Sequence, residues 1–265
     1  MHKVLAIGDN CIDDYTNLGT RFPGGGCVNF AVHAQRAGAQ AAYAGVIGDD
    51  QHGDWIRSAL ESEQVDTHQL RRVSGKTAVA FVELRDTERT FLGSNRGVRE
   101  QLVMDVALRE FIREFDHIHT TLDGCVDAYF ADWHRAGHTT SYDFSHRARS
   151  EQLDLLPYVS IAFVSGQHMT EAEAAQRAVD LQKRSQGVVV VTLGALGSLA
   201  CDSGELVRQP ALPVTVVDTL GAGDAFQAAF VVEYLNTHNT QAALIAGASR
   251  AATVCQHLGG FGYPH

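Results

Sequence analysis

The absences in this chain narrow its function before any motif is read. Its five cysteines (Cys11, Cys27, Cys125, Cys201, Cys255) are odd in number and never spaced C-x-x-C, which argues against a disulfide framework and a cysteine zinc site. No H-E-x-x-H, G-x-S-x-G or G-x-x-x-x-G-K-[ST] occurs, so the common zinc-protease, serine-hydrolase and P-loop solutions are missing. Histidine is plentiful but scattered. His134 and His138 are four apart with Gly137 between them, and His117 and His119 share a strand face with no third ligand near. No apolar run approaches membrane-spanning length. "MHKVLAIGDN" is a strand-like run rather than a basic stretch followed by a long apolar region. The expected location is the cytoplasm, with no membrane partner. Cations are in deficit, giving a net charge of -10, which argues against nucleic acid as a partner. Any anionic ligand must then be held locally, by loops and helix ends.

What is present is an alternation. Strand-like runs at 3–8, 41–48, 117–121, 139–145, 161–165 and 187–194 are separated by helix candidates at 28–37, 54–63, 105–114, 126–135 and 170–185. Two further helices, about 223–235 and 240–257, close the chain. The unbroken apolar character of "VVVVTL" suits a parallel strand covered on both faces. The fold class expected is α/β: a doubly wound, mostly parallel central sheet flanked by helices. One region breaks the rhythm. "TAVAFVELRDTERTFLGSNR" (77–96) alternates apolar and polar residues around a turn, as a hairpin with one wetter face does. With residues about 12–22 it is expected to form a small projecting sheet. No linker, repeat or low-complexity segment divides the chain, so 1–265 is expected to be a single domain carrying that sheet.

The chemistry concentrates in glycine-rich loops. "VDTLGAGDAFQAAF" (217–230) sets Gly221 and Gly223 between a strand end and a run of helix formers. A helix starting there points unpaired N–H groups and its positive dipole end into the loop, which makes a place for an anion. Asp224 is out of place beside an anion unless it has a role in the chemistry. "FPGGGCVNF" (22–30) presents Gly24 to Gly26 and then Asn29, whose carbonyl and amide suit vicinal hydroxyls. A triple glycine also serves a plain turn, and Asn29 also suits a helix cap. Upstream, "GDNCIDDY" places Asn10 and Asp13 beyond the C-terminal end of the first strand, the edge where open α/β sheets bind ligands. Asp13 and Asp14 equally suit a solvated turn. In "VTLGALGS" (191–198), Gly194 and Gly197 flank a turn after the most buried strand, open either to a nucleotide or to a simple hairpin.

In this order the pieces resemble the ribokinase-like sugar kinases of the phosphofructokinase B type. The family's C-terminal signature is matched by Asp218, Thr219, Gly221, Ala222, Gly223 and Asp224. Its N-terminal signature is matched by Gly24, Gly25, Asn29, Ala31, Gly38 and Gly48. The resemblance implies a ribokinase-like fold in which the small sheet is a β lid, and an ATP-dependent phosphotransferase acting on a sugar hydroxyl. It implies that Asp224 is the catalytic base, with Gly221, Ala222 and Gly223 donating N–H groups to the transferred phosphoryl. Sugar contacts are implied for Asn10, Asp13, Gly25, Gly26, Asn29 and Arg96. Nucleotide contacts are implied for Thr192, Gly194 and Gly197, with the last helix near Ala248 and Ala252 walling the adenine. ATP and Mg2+ are the implied cofactors, and a monovalent cation such as K+ near Asp218 and Leu220. A homodimer through the lid is also implied, with Val79, Phe81 and Phe91 on the apolar face.

Two departures from the pattern stand out. Cys27 replaces the small residue usual two before the asparagine, with the expectation of a slightly narrower sugar pocket. The usual N-x-x-E is absent after "FVSG", where Ser165, Gly166, Gln167 and His168 stand and the nearest acids are Glu171 and Glu173. Asp143 is the candidate for an indirect role toward magnesium. Within the family the opening "GDNCIDDY", the "GDD" and the "YDFS" segments most resemble fructoselysine 6-kinase-type enzymes, which phosphorylate the 6-hydroxyl of a fructose carrying an amino acid on C1. Asp13, Asp14 and Glu83 are the candidates for the substrate amine, and Arg21, Arg89 or Arg96 for its carboxylate. A kinase for free fructose, for ribose or for a nucleoside is the alternative, and a non-catalytic binding protein on the same fold is a further one.

Overall fold

The computed structural model describes every residue except Asp86. Nine strands form the main sheet. Six follow the predicted runs: β1 (Lys3–Ile7), β4 (Gln40–Gly48), β8 (His117–Thr121), β9 (Thr139–Asp143), β10 (Ile161–Ser165) and β11 (Val188–Thr192). Three more complete it: β5 (Leu70–Val73), β12 (Ser198–Asp202) and β13 (Glu205–Gln209). Their order is β13-β12-β11-β10-β9-β8-β1-β4-β5, parallel throughout except at β11-β12 and β12-β13.

The strands divide the core by side-chain parity. From β1, Val4 and Ala6 enter one apolar cluster while Leu5 and Ile7 enter the other. From β11, Val188 and Val190 take the first side and Val189 and Val191 the second. A strand apolar at every position therefore has no wet face, and helices cover both. On the first face lie α1 (Gly26–Arg36), α2 (Gln51–Ser62), α7 (Ala222–Thr237) and α8 (Thr240–Val254); on the second lie α3 (Val106–Ile112), α4 (Phe130–Arg135), the short α5 (Ser150–Leu153) and α6 (Glu171–Gln182). In α7, residues Ala225 to Val232 are all buried. A helix apolar on every side is a core helix, and this rigid rod carries Asp224 in its first turn.

The histidine pair on β8 belongs to this core. His117 and His119 both hydrogen-bond the Ser141 hydroxyl at 2.8 Å, and His119 stacks on Phe30 at 3.6 Å. Burial holds both imidazoles neutral, His117 with its pKa lowered to about 3. Among the described residues no group of His, Cys, Asp and Glu is arranged to hold a metal.

A second sheet stands over the C-terminal edge of the first. Its strands are β2 (Cys11–Tyr15), β3 (Thr20–Gly24), β6 (Val79–Arg85) and β7 (Glu88–Asn95), in the order β3-β2-β6-β7. The 77–96 hairpin pairs antiparallel, and its register shifts between Phe81 and Val82. Tyr15, Phe22, Val82, Leu84 and Leu220 pack into a small cluster that joins this sheet to the loop before α7.

Candidate active site

Three loops converge where the two sheets meet, around an open cavity of about 440 Å³. The first loop follows β1. Asp9 is buried, and its carboxylate accepts from the backbone N–H of Gly26 at 2.7 Å and from the Thr121 hydroxyl at 2.7 Å. It thereby caps α1 and ties β1, α1 and β8 together at the cavity floor. The second loop enters α1 through Gly25, the N-cap, at φ 102°. A Cβ there would lie 2.6 Å from Asn10 Cα, so only glycine fits. Asn29, one turn into α1, then points its amide at the third loop.

That third loop is 218–223. Gly221 sits at φ 75° as the N-cap of α7, where a Cβ would meet Gly260 Cα at 2.6 Å. No side chain caps α7. Ala222 N–H turns back to Thr219 O at 3.3 Å, and among the described residues the N–H groups of Gly223 and Asp224 meet no acceptor beside the cavity, where an anion complements them and the helix dipole. Gly223 is exposed, and a Cβ there would find nothing within 4 Å. Its role is to leave open space, not to allow an unusual backbone angle.

Asp224 follows at once. Asn29 Nδ2 donates to its Oδ2 at 2.7 Å. Burial, with Asp143 and Asp9 close by, pushes its pKa up to about 8, against the opposing pull of the Asn29 hydrogen bond. Asp13, on β2, is also raised, to about 7, mainly by burial. The Arg89 guanidinium opposes both shifts from the cavity wall. Carboxyls with raised pKa values gathered in one cavity mark a functional site, because a carboxyl near neutrality exchanges a proton readily.

Asp218 anchors the loop from beneath. It is buried, accepts from Leu220 N at 3.0 Å and Gly259 N at 3.1 Å, and takes the Tyr15 hydroxyl as a third donor. Both carboxylate oxygens are therefore engaged by the protein, at the place expected for a monovalent cation.

A model of the pfkB family of carbohydrate kinases matches residues 13–262. The chain belongs to that family. Over 260 residues it is 34% identical to the fructoselysine 6-kinase of Escherichia coli, covering 98% of this chain and 99% of the relative. It is 32% identical to the fructosamine kinase FrlD of Bacillus subtilis, covering 98% and 93%. Among solved structures, the ribokinase of Arabidopsis thaliana complexed with ribose and ATP superposes with a TM-score of 0.84 at 21% identity, covering 98% of this chain and 94% of that one. The adenosine kinase of Sinorhizobium meliloti gives 0.85 at 23%, covering 98% and 95%. These confirm the fold.

Within this pfkB chain the expected residues separate into two groups. Asp13, Gly25, Gly26, Asn29, Thr192, Gly221, Gly223 and Asp224 line one cavity, and Ala222 opens α7 beside them. The others lie elsewhere. Asn10 is fully buried and donates to Tyr43 Oη at 2.9 Å and Val46 O at 2.8 Å; its neighbour Asp9 faces the cavity instead. Cys27 is also fully buried, its thiol against Ile7 O at 3.2 Å, so it packs behind α1 and does not narrow the pocket. Arg96 turns to Glu100 and Asp123. Gly197, at φ 99°, makes the turn into β12, with Gln209 O 2.2 Å from where a Cβ would be, and Gly194 opens the same turn. Ala248 and Ala252 lie on α8 outside the cavity lining. Glu171 pairs with Arg208, and Glu173 closes the capping box of α6 with Thr170.

Asp9 and Gln227 were not foreseen. Gln227 lies one turn along α7 from Asp224, and its Oε1 is buried without a partner at the cavity wall. An amide at i+3 from an acid on one helix face was the available signal.

Proposed function

We propose that this enzyme transfers the γ-phosphoryl group of ATP to the 6-hydroxyl of a fructose-amino acid such as fructoselysine. The observation that carries the reading is Asp224, proton-poised in the first turn of a helix whose N-terminus no side chain caps, beside open space at Gly223. The named relatives point to the sugar class.

In the proposed step the 6-hydroxyl donates to the Asp224 carboxylate and its oxygen attacks the γ-phosphorus. The new O–P bond forms as the bond to the β-phosphate bridging oxygen breaks. ADP leaves, and the proton ends on Asp224. Backbone N–H groups of Gly221, Ala222 and Gly223 meet charge on the phosphoryl oxygens; in phosphoryl transfer such positioning and electrostatics supply most of the rate. Asn29 orients the base and, with Asp13, Gly25 and Gly26, holds the sugar. The nucleotide lies toward Thr192, with the Gly194–Gly197 turn and the α8 face at Ala248 and Ala252 as its outer walls.

Magnesium enters with ATP and supplies charge neutralisation of the phosphates. It commonly takes one or two carboxylates and keeps several waters. Asp143, at the end of β9 with its pKa raised mainly by burial, and the unpartnered Gln227 Oε1 suit that demand. With Asp218 saturated, a monovalent cation in the same loop would rest on backbone carbonyls. The four-stranded sheet is the lid in this reading, with Phe81, Phe91 and Leu92 exposed on it as the homodimer surface, and the enzyme works in the cytoplasm.

The test is kcat/KM with ATP for fructoselysine and fructose-asparagine beside fructose, ribose and adenosine. A higher value for either fructose-amino acid is expected. Preference for a free sugar or a nucleoside would overturn the substrate and leave the phosphotransfer chemistry standing.

A further inference from the structure

Two members of a charged cluster, Asp123 and Arg147, line this cavity and have no part in the phosphoryl transfer proposed above. Asp123, in the turn after β8, is met by three guanidinium groups: Arg147 Nη2 at 2.6 Å, Arg96 Nη2 at 3.1 Å and Arg99 Nη2 at 3.6 Å. Glu100 takes the other end of Arg96 at 2.7 Å. Within this cluster three cations share two carboxylates, which leaves one positive charge in excess. The rest of the cavity is acidic, lined by Asp9, Asp13, Asp143 and Asp224 with Arg89 as its other arginine, and a neutral sugar has no use for a fixed ion pair.

The members differ in freedom. The Arg99 side chain is 11% exposed and its Nε is buried without a partner, so it anchors the cluster from below. The Arg147 side chain is 58% exposed and lines the cavity beside Asp123, so it can turn toward a ligand at small cost.

The cluster also lies near the chemistry. Asp123 N donates to Thr121 Oγ1 at 3.2 Å. Thr121 and Asp224 flank Gly26: a Cβ on that glycine would lie 2.7 Å from Thr121 Cγ2 and 3.6 Å from Asp224 Oδ1. The path from Asp224 along Gly26 and Thr121 thus leads to Asp123 and gives the far end of a sugar reacting at its 6-hydroxyl a way to that carboxylate.

A carboxylate and a guanidinium in contact are the complement of an ammonium and a carboxylate borne on one carbon. We propose that Asp123 and Arg147 bind the α-amino-acid head group of a fructosamine substrate, Asp123 accepting from its ammonium and Arg147 pairing with its carboxylate. This rests on the fructosamine reading above. One ion pair is exchanged for two, and because the head group is a zwitterion the net charge of the cluster does not change. Arg21 is not the carboxylate receptor, since it lies outside the cavity lining and pairs with Asp14 there.

The test compares kcat/KM for four substrates: an Nα-fructosyl amino acid, Nε-fructosyl-lysine, fructosyl-propylamine, which keeps the secondary ammonium but has no carboxylate, and fructose. They are run on the wild type, Arg147→Ala, Arg147→Lys and Asp123→Asn, with thermal melts to check folding, because Asp123→Asn leaves buried Arg99 short of its counter-ion. In Arg147→Ala, the ratio of kcat/KM for the carboxylated substrate over fructosyl-propylamine is expected to fall about 10- to 100-fold, the worth of one charge-assisted pair. The loss should sit in KM, and Arg147→Lys should recover part of it. Whichever linkage responds shows where the head group is attached, and either one supports the proposal. Equal losses on all four substrates, or none on any, overturn it while the fructosamine reading stands. A wild type that prefers fructose overturns the fructosamine reading itself.

Discussion

The Asn29–Asp224 contact yields the sharpest prediction. With its pKa near 8, Asp224 is largely protonated in the free enzyme at pH 7, and a protonated carboxyl takes no proton from a sugar hydroxyl. In the wild type kcat/KM is therefore expected to climb about tenfold per pH unit below about 8 and to level off above it. The Asn29 amide donates only to the ionised form at full strength and so lowers this pKa. Asn29→Leu removes the donor and must move the limb to higher pH. A hydrogen bond to a charged group is worth about 1.5–3 kcal/mol, and one pH unit is about 1.36 kcal/mol, so the expected displacement is about one to two units. The assay is direct measurement of phosphorylated sugar from pH 5.5 to about 9.5 at saturating magnesium and ATP, which keeps nucleotide phosphate titration near pH ~6 out of the profile. The asparagine also holds sugar in the proposed site, so the variant is slower everywhere; the position of the limb is the readout. A wild-type limb below pH ~6, or one that Asn29→Leu leaves in place, would refute the assignment of Asp224 as base.

Asp224→Asn should lower kcat by about 10² to 10⁴ with sugar affinity within a few-fold, as loss of a general base does. The same variant should be the more stable protein: a raised folded-state pKa means that ionisation above about pH 4 costs folding free energy, fully so beyond pH ~8. Calorimetry should show a gain of about 1–3 kcal/mol at pH 8 that disappears near pH 4, and an unchanged melting temperature at pH 8 would contradict the burial argument. Gly223→Val should abolish turnover with the melting temperature within a few degrees of wild type, because its Cβ meets no protein atom and its methyls fill the phosphoryl space; full activity would move the anion site elsewhere. Sedimentation should give a dimer at micromolar concentration that Phe91→Glu converts to monomer, and a wild-type monomer would dismiss the lid as an interface.

Much of this architecture was legible because buried parallel strands have an unmistakable composition: "VVVVT" has nowhere to turn a polar side chain. What stayed hidden depended on partners distant in sequence. "LRRV" of β5 carries two arginines and reads as a solvated stretch until β4 supplies its ladder. The small sheet from 77–96 and about 12–22 was evident, yet "TRFPG" of β3 carries a proline that demotes a strand, and its run on to Gly24 is decided by pairing with β2. At the site, the meeting of the motif glycines and Asp224 in one cavity was readable since they lie in short loops of fixed geometry. The exchange of Asn10 for Asp9 is a question of parity at a strand end, which one residue of register decides. Asp123, Arg96, Arg99 and Arg147 come from three separate loops, and no local spacing announces that they meet.

The hydroxyl of Tyr15 on Asp218 has a mechanical consequence. Tyr15 lies on β2, in the upper sheet, while Asp218 lies in the loop that aims the α7 amides. Arg21 of β3 is stitched by backbone hydrogen bonds to His265. The inner half of the upper sheet is thus riveted to the machinery it covers and cannot swing as a unit without dragging the anion loop along. Among the described residues the free edge on the outer side is β7 alone, since β6 pairs with β2 from Val79 to Val82 and sets Val82 and Leu84 into the cluster beneath. On the proposed reading the door is β7 alone, hung on a frame that stays fixed to the wall, and the α7 amides are set before a substrate enters.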